Sequence, residues 1–359
     1  MSDDIRFRDA TDAPLLEVRD VRTSFRTDRG LVRAVDGVSL TLERGKTLGV
    51  VGESGCGKSV LSKSIMGLLP STAIRTGSIR FEGVELIEKN PKAMNAFWGT
   101  QMSMVFQDPM TALNPVMRIG KQITESLRHH LDVTKEFADE TALELLRSVG
   151  IPEPKRRLRQ YAFELSGGMR QRVMIAIAMA CGPKLLFADE PTTALDVTVQ
   201  AQILDLLDAQ QSERFMAMIL VTHDLGVVAG RADEIIVMYA GKVVERSDPR
   251  RLFAEMRHPY TEALFESIPK LGLPSHSRLE AISGRPPDLV NPPRGCRFAA
   301  RCKYAQQTCF DEEPVLLQQG EQPGHQAACH FPVGTPEGAE ALERNLAAGV
   351  APRDAKVGG

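Results

Sequence analysis

Between residues 15 and 50 apolar and polar positions alternate. Leu15–Arg19 and Val35–Leu42 carry the two-residue period of half-buried strands, and the turn-prone Thr27-Asp28-Arg29-Gly30 separates them. Thr47–Val51 (TLGVV) breaks the alternation, and so short a continuous apolar run fits a parallel strand covered on both faces. A glycine-rich stretch follows, and Ser59–Leu69 then takes up helical spacing. Residues 77–87 predict a hairpin with Gly83 at or near its turn. Residues 110–165 are richer in helix formers, with helical spacing over Lys121–His130 and Phe137–Val149, and Met169–Ala180 predicts a further helix. Beyond it come a strand (Lys184–Ala188), a helix (Ala201–Gln210) and two strands (Met218–Val221, Glu234–Met238). Strands alternating with helices predict an α/β fold around a largely parallel sheet.

After about residue 256 the periodicity is lost and proline becomes frequent, at Pro259, Pro269, Pro274, Pro286, Pro287, Pro292 and Pro293. This reads as a second, loop-rich unit over 256–335 with little apolar sequence for a core, followed by a partly helical or disordered tail at 336–359. The length of 359 residues suits one large domain, 1–255, plus this smaller one. A net charge of -2 gives no whole-chain attraction to nucleic acid or anionic lipid. The polar, acidic start of the chain has no apolar core of a secretory signal. The longest apolar stretches, Val173–Cys181 and Met216–Val221, are far short of the roughly 20 residues that span a bilayer. A soluble protein is expected, with any membrane role acting through a partner.

Two motifs carry chemistry. Gly52-Glu53-Ser54-Gly55-Cys56-Gly57-Lys58-Ser59 fits G-x-x-x-x-G-K-[ST] between a strand and a helix. Its glycines let backbone N–H groups turn inward around an anion, and the following helix adds its positive end. Lys58 would reach the β- and γ-phosphates and Ser59 would bind Mg²⁺. Cys56 reads as a small filler of the loop. The second motif is the apolar strand that ends in Asp189 and Glu190. Asp189 would hold Mg²⁺, directly or through water, and Glu190 would polarise the attacking water. Two acids after a strand ordinarily mark a solvated helix start; the upstream phosphate loop changes that reading.

Leu165-Ser166-Gly167-Gly168-Met169 resembles the signature of ABC ATPases, and other elements resemble that family in the expected order. Gln107 in VFQDP resembles the Q-loop glutamine, Ala194-Leu195-Asp196 the D-loop, and His223 in VTHD the switch histidine. Phe25 is the candidate for the aromatic that stacks on adenine. The resemblance covers about residues 15–250 and implies a P-loop NTPase of the ABC nucleotide-binding type, with antiparallel β and helical subdomains, the latter at about 108–180. It implies that ATP and Mg²⁺ are bound, with Gln107 joining Ser59 and Asp189 at the metal. It also implies a head-to-tail pair of ATPase subunits in which Ser166, Gly167 and Gly168 of one face the γ-phosphate held by the other. Met169 stands where many relatives carry Gln, which leaves the phosphate contacts of Ser166 and the glycines intact.

Residues 256–335 resemble the C-terminal extension of oligopeptide/dipeptide importer ATPases, on the pieces Arg257-His258-Pro259-Tyr260-Thr261, Ser267-Ile268-Pro269, Gly284-Arg285-Pro286-Pro287 and Gly295-Cys296-Arg297-Phe298 through Arg301-Cys302. Four of the six cysteines crowd this unit as Cys296-x₅-Cys302-x₆-Cys309-x₁₉-Cys329. The spacing is not the C-x₂-C of zinc knuckles. It suits a [4Fe–4S] cluster wrapped by loops, which the resemblance supports, so the extension is expected to bind metal; zinc and no metal remain as alternatives. His325 and His330 flank Cys329 and could serve zinc, against the plainer reading of solvated loop histidines.

The resemblance thus implies the ATP-hydrolysing subunit of an importer of di- or oligopeptides at the cytoplasmic face of the cell (inner) membrane. Its implied partners are transmembrane permease subunits, a second ATPase subunit that is a different chain or a second copy of this one, and an extracytoplasmic solute-binding protein. No nucleic acid is expected. An importer of nickel or another small solute, or a soluble ABC ATPase outside transport, are the competing readings. Chromosome-type members need long coiled coils, and no heptad run lies between Lys58 and Asp189. The basic run Lys155–Arg159, the pair His129-His130 and Trp98 read as solvated surface or packing.

Overall fold

The computed structural model describes residues 13–192, 195–268, 282–320 and 323–349. The first twelve residues, Ala194 of the D-loop motif, Pro269, Pro274 and the tail beyond 349 lie outside the described residues.

Among the described residues twelve strands form two sheets. The smaller uses β1 (Leu16–Thr27), β2 (Gly30–Leu42), β4 (Ala73–Phe81) and β5 (Val84–Glu85) in the order β2-β1-β4-β5, antiparallel throughout. Alternation puts Leu16, Val18, Val21 and Thr23 on the buried face of β1, and the register slips between Val18 and Val21. That slip explains why two inward residues stand three apart rather than two. At the β4–β5 turn Glu82 and Gly83 take φ of 47° and 78°. Positive φ at both positions is what a two-residue hairpin loop requires, so the expected Gly83 turn is present.

The larger sheet uses β3 (Thr47–Val51), β6 (Met102–Val105), β7 (Leu185–Asp189), β8 (Ala217–Thr222), β9 (Glu234–Tyr239), β10 (Lys242–Ser247), β11 (Leu317–Gln318) and β12 (Gln326–Ala327). Its order is β11-β12-β10-β9-β3-β8-β7-β6. The run β9-β3-β8-β7-β6 is parallel, and β10, β12 and β11 continue it antiparallel. Every residue of β3, β7 and β8 is buried, as a strand covered on both faces demands.

Between β6 and β7 the regular elements are all helical, chiefly Ile119–His130, Lys135–Ser148 and Gly167–Met179. Their buried residues Ile123, Leu127, Ala142, Leu146, Val173 and Ile175 join one core with the β7, β8 and β9 side chains that face them. A second core fills the space between the antiparallel sheet, the helix Lys58–Met66 and the other face of the parallel strands. The fold is therefore α/β with an antiparallel sheet and a helical region, as the resemblance implied.

The late unit departs from the expectation of a segment without a core. Tyr260 and Phe298 pack tilted and edge-on against Tyr239 of β9, with ring centroids 4.5 Å and 5.2 Å from Tyr239 and 5.3 Å from each other. A few large aromatics buried against an existing sheet supply what the aliphatic composition lacked. The described part of the tail is a helix, Pro336–Ala347, capped by Thr335 and tied by Asn345 to Gln306.

Candidate functional site

The phosphate loop leaves β3 at Gly52 and enters the helix Lys58–Met66 through Gly57, which takes φ of 105°. A β-carbon on Gly57 would lie 2.2 Å from the Ala34 carbonyl oxygen, and one on Gly52 2.2 Å from that of Met238. Glycine at both positions follows from this close backbone approach. Lys58 is buried and donates from Nζ to the carbonyls of Gly52 (2.7 Å) and Glu53 (3.0 Å), so its ammonium lies back across its own loop. Ser54 and Gly55 form the loop's tip, and Gly55 sits at φ of 80° with open space beside it. Cys56 is buried and its thiol is pushed up by that burial, in keeping with a filler.

β7 lies one strand from β8, which separates it from β3, and it delivers its acids to the same edge. Ser59 Oγ donates to Asp189 Oδ1 at 2.8 Å. Burial pushes the Asp189 carboxyl up, against the opposing pull of Ser59 and of the Lys63 and Lys58 charges. A hydroxyl and a desolvated carboxylate side by side are hard oxygen donors that suit Mg²⁺, and a cation there would offset the cost of that burial. Glu190 follows at φ of 44°, a left-handed conformation uncommon for a residue with a side chain. Its backbone N–H is held by the Val221 carbonyl at 2.9 Å. Three expected partners reach its carboxylate: Gln107 Nε2 donates to it at 3.0 Å, His223 Nδ1 lies at 3.4 Å and Lys58 Nζ at 3.8 Å. Residues from the loop after β6, the turn after β7, the turn after β8 and the phosphate loop thus meet at one carboxylate.

Other expected residues stand apart from that cluster. Ser166 caps the helix Gly167–Met179, accepting from the Met169 N–H at 3.4 Å, and Asp196 caps Val197–Arg214, accepting from the Val199 N–H at 3.0 Å. The two helix starts pack together, since a β-carbon on Gly168 would meet Val199 at 2.9 Å and one on Gly167 would meet Leu195 at 3.6 Å. Among the described residues no hydrogen bond or ion pair joins Ser166, Gly167 or Gly168 to the phosphate loop. Phe25 is half-buried on β1, registered with Val32 and Ala73.

The four late cysteines do converge. Cys296, Cys302, Cys309 and Cys329 line one small cavity with Phe298, Tyr304 and His330. Burial pushes all four thiols up, Cys296 to about 11, so they hold their protons unless a cation compensates. Among the described residues no three of His, Cys, Asp or Glu are grouped to hold a metal ion. His325 is neither a solvated histidine nor a member of this cavity wall: it is buried, with Nε2 2.7 Å from Glu245 Oε1.

Sequence reasoning missed two arginines that tie this unit to the antiparallel sheet and to the phosphate loop. Arg297 forms a buried ion pair with Asp36 of β2 and donates to the Ala240 carbonyl. Arg301 makes a forked pair with Glu53, inside the phosphate loop, at 2.6 Å and 2.9 Å. The only signal in the sequence was two cations in an otherwise apolar run beside cysteines, and nothing local named their distant partners.

Residues 35–193 match the family model described as ABC transporter, and residues 244–309 match that of the oligopeptide/dipeptide transporter C-terminal region. The chain is 51% identical over 306 residues to the oligopeptide transport ATP-binding protein OppD of Bacillus subtilis, covering 85% of this chain and 86% of that one. It is 50% identical over 297 residues to the dipeptide transport ATP-binding protein DppD of the same organism, covering 82% and 88%. Among solved structures it resembles the ATP-binding cassette MJ0796 in a dimeric post-hydrolysis state bound to ADP and Pi, with a TM-score of 0.60 and 26% identity over 66% of this chain and 99% of that one. With the phosphate loop, the acidic strand end and the Glu190 contacts assembled at one sheet edge, the chain belongs to the ABC transporter ATP-binding proteins, in the branch that carries the oligopeptide/dipeptide transporter C-terminal region.

Proposed function

We propose that this chain hydrolyses ATP at the site between Lys58 and Glu190 and couples that reaction to the import of di- or oligopeptides. The observation that carries the reading is the convergence of Gln107, His223 and Lys58 on Glu190, beside the Ser59–Asp189 pair. ATP would lie along residues 52–59 with Phe25 at the base, and Lys58 would swing from the Gly52 and Glu53 carbonyls to the phosphates. Ser59, Asp189 and Gln107 would hold Mg²⁺, which would neutralise phosphate charge. Glu190 would take the proton of the attacking water, and His223, which faces the same oxygen as Gln107, would orient the γ-phosphate and hold Glu190.

The separation of Ser166 from the phosphate loop supports a site completed by a second ATPase subunit, whose Ser166-type cap and Asp196-type turn would face this chain's ATP. That subunit is a paralogous chain or another copy. Among the described residues no helix is long and apolar enough to cross a membrane; the chain would attach at the cytoplasmic face through permease subunits. An extracytoplasmic binding protein would deliver cargo. For the division of the chain we infer an ATPase unit to about residue 255, with the helical part at 108–180, an extension over 256–335 and a tail.

The four thiols on one apolar cavity support a [4Fe–4S] cluster held by Cys296, Cys302, Cys309 and Cys329. The cluster would cross-link the loops that carry these four cysteines.

Replacing Glu190 with Gln tests the catalytic reading. It should leave ATP binding in place and lower turnover about 10²- to 10⁴-fold, the contribution usual for a positioned base. Undiminished hydrolysis by that variant removes Glu190 from the role.

A further inference from the structure

Two residues of the late unit, Arg301 and Tyr260, hold one residue of the phosphate loop. Arg301 is buried, its side chain 2% exposed, and all five of its N–H groups are used. Nη1 and Nη2 donate to the two carboxylate oxygens of Glu53, Nη1 also to the Tyr239 hydroxyl at 3.1 Å, Nη2 also to the Ile282 carbonyl at 3.1 Å, and Nε to the Ser283 carbonyl at 3.0 Å. Glu53 is also held by its backbone, because its N–H donates to the fully buried Tyr260 hydroxyl at 2.7 Å. Tyr260 and Arg301 both belong to the late unit, and Arg301 is followed directly by Cys302. Glu53 is the second residue of the phosphate loop, and its carbonyl is one of the two that receive Lys58.

We propose that Arg301 and Tyr260 are positioning residues for ATP: they clamp Glu53 by carboxylate and amide, fix the start of the phosphate loop, and so set nucleotide affinity without touching nucleotide. A loop whose backbone is already placed loses less conformational freedom when it closes on an anion, and affinity rises by that saving. A planar five-donor fork that no other cation reproduces is what such a clamp needs. The inference rests on residues 52–59 being the ATP loop. It goes further in giving the C-terminal unit a direct mechanical effect on ATP binding, which the family's ATPase core, matched at residues 35–193, does not contain.

The test is equilibrium binding of a fluorescent ATP analogue to the full chain, with thermal melts to show that each variant is folded. Tyr260→Phe keeps the ring and removes only the acceptor for the Glu53 N–H; it should weaken binding about fivefold, the worth of one neutral hydrogen bond. Arg301→Lys keeps the charge and loses the fork; it should weaken binding about tenfold, as for a charge-assisted contact. Hydrolysis at saturating ATP should stay within about twofold, so the effect appears in KM and not in kcat. In a Glu53→Gln background the Arg301→Lys step should lose most of its effect, because both changes act on one contact. Wild-type affinity in folded Tyr260→Phe and Arg301→Lys chains, or tighter binding, overturns the proposal. Lys58→Ala separates the two layers: if it too binds like wild type, the assignment of the loop fails; if it alone loses binding, only the clamp does.

Discussion

Glu245 is fully buried in β10, between β9 and β12, and its carboxylate is the joint between the parallel sheet and the late unit. One oxygen accepts from the Arg257 N–H at 2.7 Å and lies 2.7 Å from His325 Nε2; the other accepts from the His258 N–H at 2.9 Å. Replacing Glu245 with Ala strands these three donors in a dry interior. Each unmet donor costs about 1–3 kcal/mol, and truncating one member of a buried charged contact about 3–5 kcal/mol, so the loss should fall in that upper range. Glu245→Gln is the graded control. Its amide oxygen, in place of Oε1, keeps Arg257 and His325, while its NH₂ turns a donor against the His258 N–H, so only about 1–2 kcal/mol should go. Amide hydrogen exchange at Arg257 and His258 reads this directly. Relative to wild type, exchange should quicken about 100- to 3,000-fold in the Ala variant and about 5- to 30-fold in the Gln variant, at tenfold per 1.4 kcal/mol. Equal protection in all three chains, or equal loss in Ala and Gln, would refute the account of the carboxylate as a three-donor joint.

Two further perturbations probe other parts of the molecule. Gly57→Ala places a β-carbon 2.2 Å from the Ala34 carbonyl at a φ of 105°; the backbone must shift at a cost of about 1–3 kcal/mol, and nucleotide binding should drop at least about tenfold in a titration. Anaerobic purification without metal-binding tags should give a brown protein with about four irons and four sulfides per chain, and Cys302→Ser should bleach it and quicken proteolysis within 256–335; a colourless wild type, or unchanged colour in the variant, counts against the cluster.

What the sequence revealed depended on how local each signal was. The phosphate loop was legible because its glycines, lysine and serine lie within eight consecutive residues between a buried strand and a helix. β3, β7 and β8 were legible because a strand covered on both faces must be continuously apolar. β6, with only Met102–Val105, is too short to show a period, and β11 and β12 are two residues each, so their pairing comes from β10 and not from their own composition. The core of the late unit was hidden because Tyr260 and Phe298 are few and scattered, and they become a core against Tyr239 of a distant strand. The Arg301–Glu53 and His325–Glu245 contacts join residues far apart in the chain. A buried charge finds its partner in three dimensions, which left His325 open to reading as a solvated histidine or a zinc ligand.

The antiparallel continuation of the large sheet bears on solubility as well as on architecture. Without β12, the outer side of β10 would offer the N–H and C=O groups of Glu245 and Arg246 as an open pairing template. β12 occupies part of that edge, and β11 ends the sheet in a strand of only two residues, too short for a neighbouring molecule to extend. A chain cut short after residue 255 would keep its phosphate loop but uncover that edge together with the aromatic ring of Tyr239. The late unit therefore also closes part of that edge of the sheet to pairing with a second molecule.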